Sequence, residues 1–151
     1  MSLKQRLEGD LKDAMRQRDT LRRSVIRFIR SAVHNQEIAD QKELDDDGII
    51  GVLSSQAQQR RDSIEAFTQG NRPELADKET SELAIVLEYM PEQLSAEEIT
   101  DLVKSAMDEV GAAGPADMGK VMGRVMPQVK GKAEGRVVST ITSDLLRSLE
   151  A

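Results

Sequence analysis

The 151 residues contain no cysteine, which excludes a disulfide framework, a thiolate metal site and a thiol nucleophile, and suits a reducing compartment. A single histidine, His34, excludes a multi-histidine zinc site. The aromatic residues are Phe28, Phe67 and Tyr89 alone, too few for the stacking platforms on which single-stranded RNA binders hold unpaired bases. Any RNA contact would therefore read shape and backbone. No apolar run approaches the roughly 20 residues of a membrane span, and the charged start MSLKQRLEGDLK lacks the apolar core of a signal peptide. The expectation is a soluble cytoplasmic protein with no membrane partner. The formal net charge of −6 argues against sequence-blind nucleic-acid binding, DNA included, because that needs many cations to displace counterions.

What is present is helical periodicity. Ser2 with Gln5 forms a capping box ahead of Leu3, Leu7, Leu11 and Met15, one apolar face of a helix ending near Asp19. Leu21, Val25, Phe28, Ile29 and Ala32 make the apolar side of a second helix, with Arg23, Arg27, Arg30 and His34 on its cationic side. Asp45, Asp46 and Asp47 suit the positive end of a third helix, which carries Ile49, Ile50, Leu53, Ala57, Ile64 and Phe67. Asn71 and Pro73 open a fourth, with Leu75, Leu83, Val86, Leu87 and Met90 running to Pro91, where the missing amide stops it.

YMPEQLS is the expected boundary between domains 1–90 and 91–151. Ser95 and Glu98 form a second capping box, followed by Ile99, Leu102, Val103, Ala106, Met107 and Val110, up to Gly111. A short helix over Met118 to Met126 and a last one through Val137, Val138, Ile141, Leu145, Leu146 and Leu149 complete the chain. Nothing alternates with period two, so the expected fold class is all-α, multihelical, in two small helical domains.

The stretch MGKVMGRVMPQVKGKAEG, Met118 to Gly135, stands apart. With the preceding residues, GPADMGKV fits a Walker A loop until its last position. Val121 has no hydroxyl for magnesium, Pro115 removes a cradling N–H, and a helix precedes the loop where a strand is required. Gly119 and Gly123 each cost a helix about 1 kcal/mol relative to alanine, so they answer a geometric need: close packing of another helix, which is the commoner use, or approach of an RNA phosphate to the backbone. Met118, Met122 and Met126 read as adaptable core filler. From Met118 to Val138 the cations Lys120, Arg124, Lys130, Lys132 and Arg136 face Glu134 alone, a basic island that would orient a polyanion on an acidic chain.

The arginine stripe Arg23, Arg27, Arg30 is a second candidate anion contact, though pairing with acids such as Asp45 to Asp47 is the commoner arrangement. The aspartate cluster lacks the spaced ligands of a calcium loop and fits helix capping better; His34 reads as a surface residue. No nucleophile elbow, Ser–His–Asp order or S-x-x-K constellation appears, so no catalytic residue, cofactor or metal is expected.

RRDSIEAF (60–67), GNRPELADKETSEL (70–83), EYMPEQLSAEEI (88–99) and the basic stretch, in that order, resemble the YqeY family over nearly the whole chain. The resemblance implies an all-helical fold whose C-terminal region is similar to the tail domain of the B subunit of the tRNA-dependent glutamine amidotransferase. That tail helps recognise the body of tRNA, and related domains are appended to some glutaminyl-tRNA synthetases. It implies tRNA as partner, with amidotransferase subunits or an aminoacyl-tRNA synthetase as possible protein partners. Gly119, Lys120, Gly123, Lys130, Gly131, Lys132 and Gly135 become the candidate tRNA surface, joined by Arg124 and Arg136 of the basic island; Glu134 stands where the family more often has aspartate.

Three functions follow as expectations. The first is a tRNA-binding accessory protein without its own chemistry. The second is a component of a carbon–nitrogen ligase using glutamine as amide donor, a label the resemblance implies but no catalytic group here carries. The third is a protein-interaction module built on the N-terminal helices.

Overall fold

The computed structural model describes residues 1–150 and holds seven α-helices and one 3-10 turn, with no strand among the described residues. By its internal packing the chain divides into a unit of Met1–Met90 and a second beginning at Pro91.

The N-terminal unit contains α1 (Leu3–Arg16), α2 (Thr20–Asp40), α3 (Asp46–Gln69) and α4 (Pro73–Leu87). Its starts follow local chemistry. The Ser2–Gln5 capping box forms at α1, Asp19 accepts from the Arg22 amide at α2, and Asp45 accepts from the Gly48 amide at α3, each satisfying amides that a helix start leaves open. Asn71 takes a left-handed φ of 57°, and α4 starts at Pro73 behind Arg72 with no side-chain cap. The helix stops at Leu87, three residues earlier than Pro91 alone would require, and Tyr89 and Met90 lie in the turn after it.

The core of this unit is Leu7, Leu11, Val25, Ile26, Ile29, Val33, Ile49, Leu53, Ala57, Ile85, Val86 and Tyr89. Several apolar positions face elsewhere. Met15 is 50% exposed and Phe28 56% exposed, while Ala14 is buried. An apolar stripe wider than the contact it makes leaves its edges in water, and burial goes to the residues at its centre.

The C-terminal unit contains α5 (Ala96–Val110), the 3-10 turn Pro115–Asp117, α6 (Met118–Val129) and α7 (Gly135–Ser148). The Ser95–Glu98 capping box opens α5 and Gly111, at φ 65°, closes it in the left-handed form that glycine tolerates. Val103, Val121, Val125, Val129, Val138 and Leu146 are fully buried here, with Met118, Met122 and Met126 packed around them. One boundary is corrected: α6 runs through Pro127 to Val129. Pro127 removes the amide that would bond the Gly123 carbonyl and crowds that carbonyl, and burial of Val125 and Val129 on the opposite face holds the last turn in spite of it. Among the described residues no helix is long and apolar enough to cross a membrane.

Candidate nucleic-acid interface

Helix α6 sorts its residues by face. Val121, Val125 and Val129 point into the core, whereas Gly119, Lys120, Gly123, Arg124, Pro127 and Gln128 are exposed. Gly119, Gly123 and Pro127 recur every four residues and so lie in line, a strip with almost no side chain, beside a parallel line of Lys120 and Arg124. A Cβ built at Gly119 or Gly123 would meet nothing within 4 Å. Packing within the C-terminal unit is therefore not what these glycines serve, because none of its described elements comes within contact of a Cβ at either position.

The loop before α6 disposes of the phosphate-cradle geometry. The Asp117 carboxylate accepts from the Ala113 amide at 2.7 Å and the Gly114 amide at 3.4 Å, so a protein carboxylate already fills the position a phosphate would take. The Ala113 bond outweighs the opposing effect of burial and, helped by the Gly114 bond and the nearby Lys120 charge, holds the Asp117 carboxyl below the usual aspartate range. Helix α5, and no strand, leads into this loop.

The cations differ in how far they are already neutralised. Lys120 lies 3.8 Å from Asp117 and Arg124 lies 3.7 Å from Glu109, both as exposed pairs, worth little in water. Lys130 and Lys132 are exposed and form no ion pair among the described residues. They flank Gly131, which is buried at φ 76°. The Gly131 carbonyl accepts from Gln93 Nε2 at 2.9 Å and the Lys132 carbonyl accepts from the Leu94 amide at 2.8 Å. Gly131 is thus the hinge of a turn stapled to the segment before α5, and the staple fixes where its two lysines stand. Gly135 and Arg136 begin α7 and are exposed, and a Cβ at Gly135 would touch Met126 Cε at 3.9 Å.

The second cationic surface also differs from expectation. Arg27 and Arg30 are exposed, and neither they nor Arg23 have an ion-pair partner among the described residues. The acids expected to neutralise them are engaged at helix starts: Asp45 with the Gly48 amide at 2.9 Å and Asp46 with the Leu3 amide at 3.0 Å. Arg27, Arg30 and His34 line a groove between α1 and α2 with Lys4, Glu8 and Glu37; Lys4 is ion-paired with Glu37. Sequence reasoning missed a different cluster, Arg60 with Glu79 and Glu82, because no spacing rule links residues on two helices.

The fold and this surface define an all-α protein whose C-terminal unit carries a glycine-marked, cationic helix and turn. Residues 4–146 match the model of the Yqey-like protein family, and the chain belongs to that family. It is similar to the proteins named altered inheritance of mitochondria protein 41, mitochondrial. Identity is 36% over 113 residues for Lachancea thermotolerans, covering 73% of this chain and 60% of the relative. It is 37% over 105 residues for Saccharomyces cerevisiae strain YJM789, covering 68% and 57%. For Vanderwaltozyma polyspora it is 38% over 85 residues, covering 56% and 46%. The chain therefore spans about half to three fifths of the length of these curated relatives.

Proposed function

We propose that the C-terminal unit binds folded tRNA through backbone and cationic contacts, as an accessory to aminoacyl-tRNA metabolism and tRNA-dependent amide transfer, with no catalytic site of its own. The observation that carries this reading is the exposed face of α6. A strip bare of side chains lies beside Lys120 and Arg124, followed by the unpaired Lys130 and Lys132. A ribose–phosphate backbone is narrow and anionic, and it can reach main-chain atoms only where no Cβ stands in the way. The likeness to an amidotransferase tail supports the same choice of RNA and suggests amidotransferase subunits or a synthetase as partners. The reading places the protein in the cytoplasm; the yeast relatives carry a mitochondrial name, and both compartments contain tRNA.

The deciding experiment is tRNA affinity against salt for the full chain and for Lys130→Ala with Lys132→Ala. Loss of two phosphate contacts is expected to flatten the log–log salt slope by about 1.5. An unchanged affinity and slope would sink the assignment.

A further inference from the structure

The groove between α1 and α2 has a volume of about 540 Å³, within the range of small-ligand sites. Leu7 and Val33, 1% and 5% exposed, close its floor. From α2, Arg27, Arg30, Ser31 and His34 line the same groove, and all four are exposed. These positions are i, i+3, i+4 and i+7 of one helix, so they form a single patch in which neighbours stand roughly 5–6 Å apart at Cβ.

The patch holds two guanidiniums that no carboxylate meets. Neither Arg27 nor Arg30 has an ion-pair partner among the described residues, and the acids of the groove are engaged by other groups. Glu37 is ion-paired with Lys4 and accepts from the Leu44 amide at 2.8 Å. The Lys4 bond first, and the Leu44 bond second, hold its carboxyl below the usual glutamate range. Glu8, on the α1 side, lies 3.8 Å from Lys12. With Lys4 set against Glu37 and Lys12 against Glu8, the charges of Arg27 and Arg30 are left unbalanced. Like charges three apart on a helix repel, and a groove lined by one sign of charge concentrates potential and draws in the opposite ion.

The ligand that fits must bring about two negative charges to one place. A carboxylate brings one. A phosphodiester strand brings one per nucleotide, which suits cations strung along a surface better than a pair within a groove. A phosphomonoester carries about −1.5 to −2 near pH 7, with three acceptor oxygens on a single phosphorus. Arginine matches it, because the planar guanidinium binds phosphate through two parallel N–H bonds. The Ser31 hydroxyl and a ring N–H of His34 add single donors within the same patch. The groove is larger than a phosphoryl group, which leaves room for a small organic skeleton.

We propose that the groove between α1 and α2 is a binding site for a small phosphomonoester, its phosphoryl oxygens held by Arg27 and Arg30 with Ser31 and His34 as further donors. The site stands independently of the tRNA reading, because no residue of the basic stretch takes part.

The test is an NMR titration of the untagged full chain near pH 7 at constant ionic strength. It follows the His34 ring protons, which assign themselves because the chain has one histidine, and the arginine Nε–H signals. The probes are glycerol 3-phosphate and inorganic phosphate, with dimethyl phosphate, sodium acetate and a doubly capped phosphoserine peptide as separate arms. Saturable shifts with both phosphates are expected, with dimethyl phosphate and acetate weaker by roughly tenfold. Arg27→Gln and Arg30→Gln should each weaken glycerol 3-phosphate binding by roughly tenfold without lowering the thermal midpoint, since each removes one member of a repelling pair. Lys130→Ala with Lys132→Ala should leave this binding unchanged, which separates the groove from the tRNA surface. Absence of a saturable His34 shift with either phosphate overturns the proposal. So does equal binding of acetate or dimethyl phosphate, which makes the groove a general anion surface. Tighter binding of the phosphoserine peptide than of glycerol 3-phosphate overturns it as well, by making the groove a peptide-docking site.

Discussion

The Tyr89 hydroxyl donates to the Asp10 carboxylate at 2.5 Å, joining the turn after α4 to α1 across 79 positions of sequence. Arg6 lies 4.6 Å from the same ring and donates to the Glu88 carbonyl at 3.0 Å, while Arg22 from α2 bonds the Glu88 carboxylate at 2.5 and 3.3 Å. The end of α4 is thereby tied to α1 and α2. Tyr89→Phe is expected to cost about 1.5 kcal/mol, the low end for a bond to a charged acceptor, because Asp10 can rehydrate. Burial first, and the Asp10 bond second, push the Tyr89 hydroxyl well above its ordinary range. The folded state therefore holds that proton more tightly than the unfolded chain does. Its contribution is complete below about pH 10, the unfolded value, and is lost as pH climbs above it. Denaturant midpoints of the wild type and Tyr89→Phe should accordingly differ at pH 8 and converge above pH 10.

Asp117 predicts the opposite dependence in the C-terminal unit. Its carboxyl is held low chiefly by the Ala113 amide, so the folded state favours the ionised form. The stabilisation is present above the unfolded value of about 4 and is lost as pH falls through the depressed folded value. Asp117→Ala should lower the thermal midpoint at pH 7. The gap to wild type should shrink as the pH is taken from 5 to 3; a constant gap would show that the charge of Asp117 is irrelevant to the loop.

The starts of helices were the most legible part of the sequence, because a cap is a contact between residues three apart. Ser2 with Gln5 and Ser95 with Glu98 form the boxes their spacing predicts. Depth was less legible: periodicity marks a face but not which residue on it is central, so Phe28 was expected inside and lies out, while Gln56 is buried without having been marked. The basic island was readable as composition, but the exposure of Gly119 and Gly123 depends on where α5 and α7 lie against α6. Arg60 with Glu79 and Glu82 is a contact between α3 and α4, beyond any local rule.

Gly131 gives a test of positioning as distinct from charge. Its φ of 76° lies in the region where an added Cβ is strained by roughly 1–2 kcal/mol. Gly131→Ala should destabilise the C-terminal unit by about that amount. It should also weaken tRNA binding while Lys130 and Lys132 remain, since the turn that sets both lysines is bonded through Gly131 and Lys132 to Gln93 and Leu94. Chemical denaturation and tRNA titration on the same variant measure the two effects.

Gly119 and Gly123 separate stability from recognition more sharply. A methyl group at either position meets no atom within 4 Å, and alanine favours a helix over glycine by about 1 kcal/mol per site. Gly119→Ala and Gly123→Ala should each raise the unfolding free energy by about 0.5–1 kcal/mol, whatever the protein binds. If the bare strip admits an RNA backbone, the same methyl groups stand between phosphate and main chain, and affinity for tRNA should fall while stability rises. A variant both more stable and equally avid would leave the cations as the whole of the interface. A variant less stable would mean that the glycines serve packing after all. Thermal melts and tRNA titrations on the single and double variants distinguish these results, since close approach of RNA to the bare strip makes stability and affinity move in opposite directions.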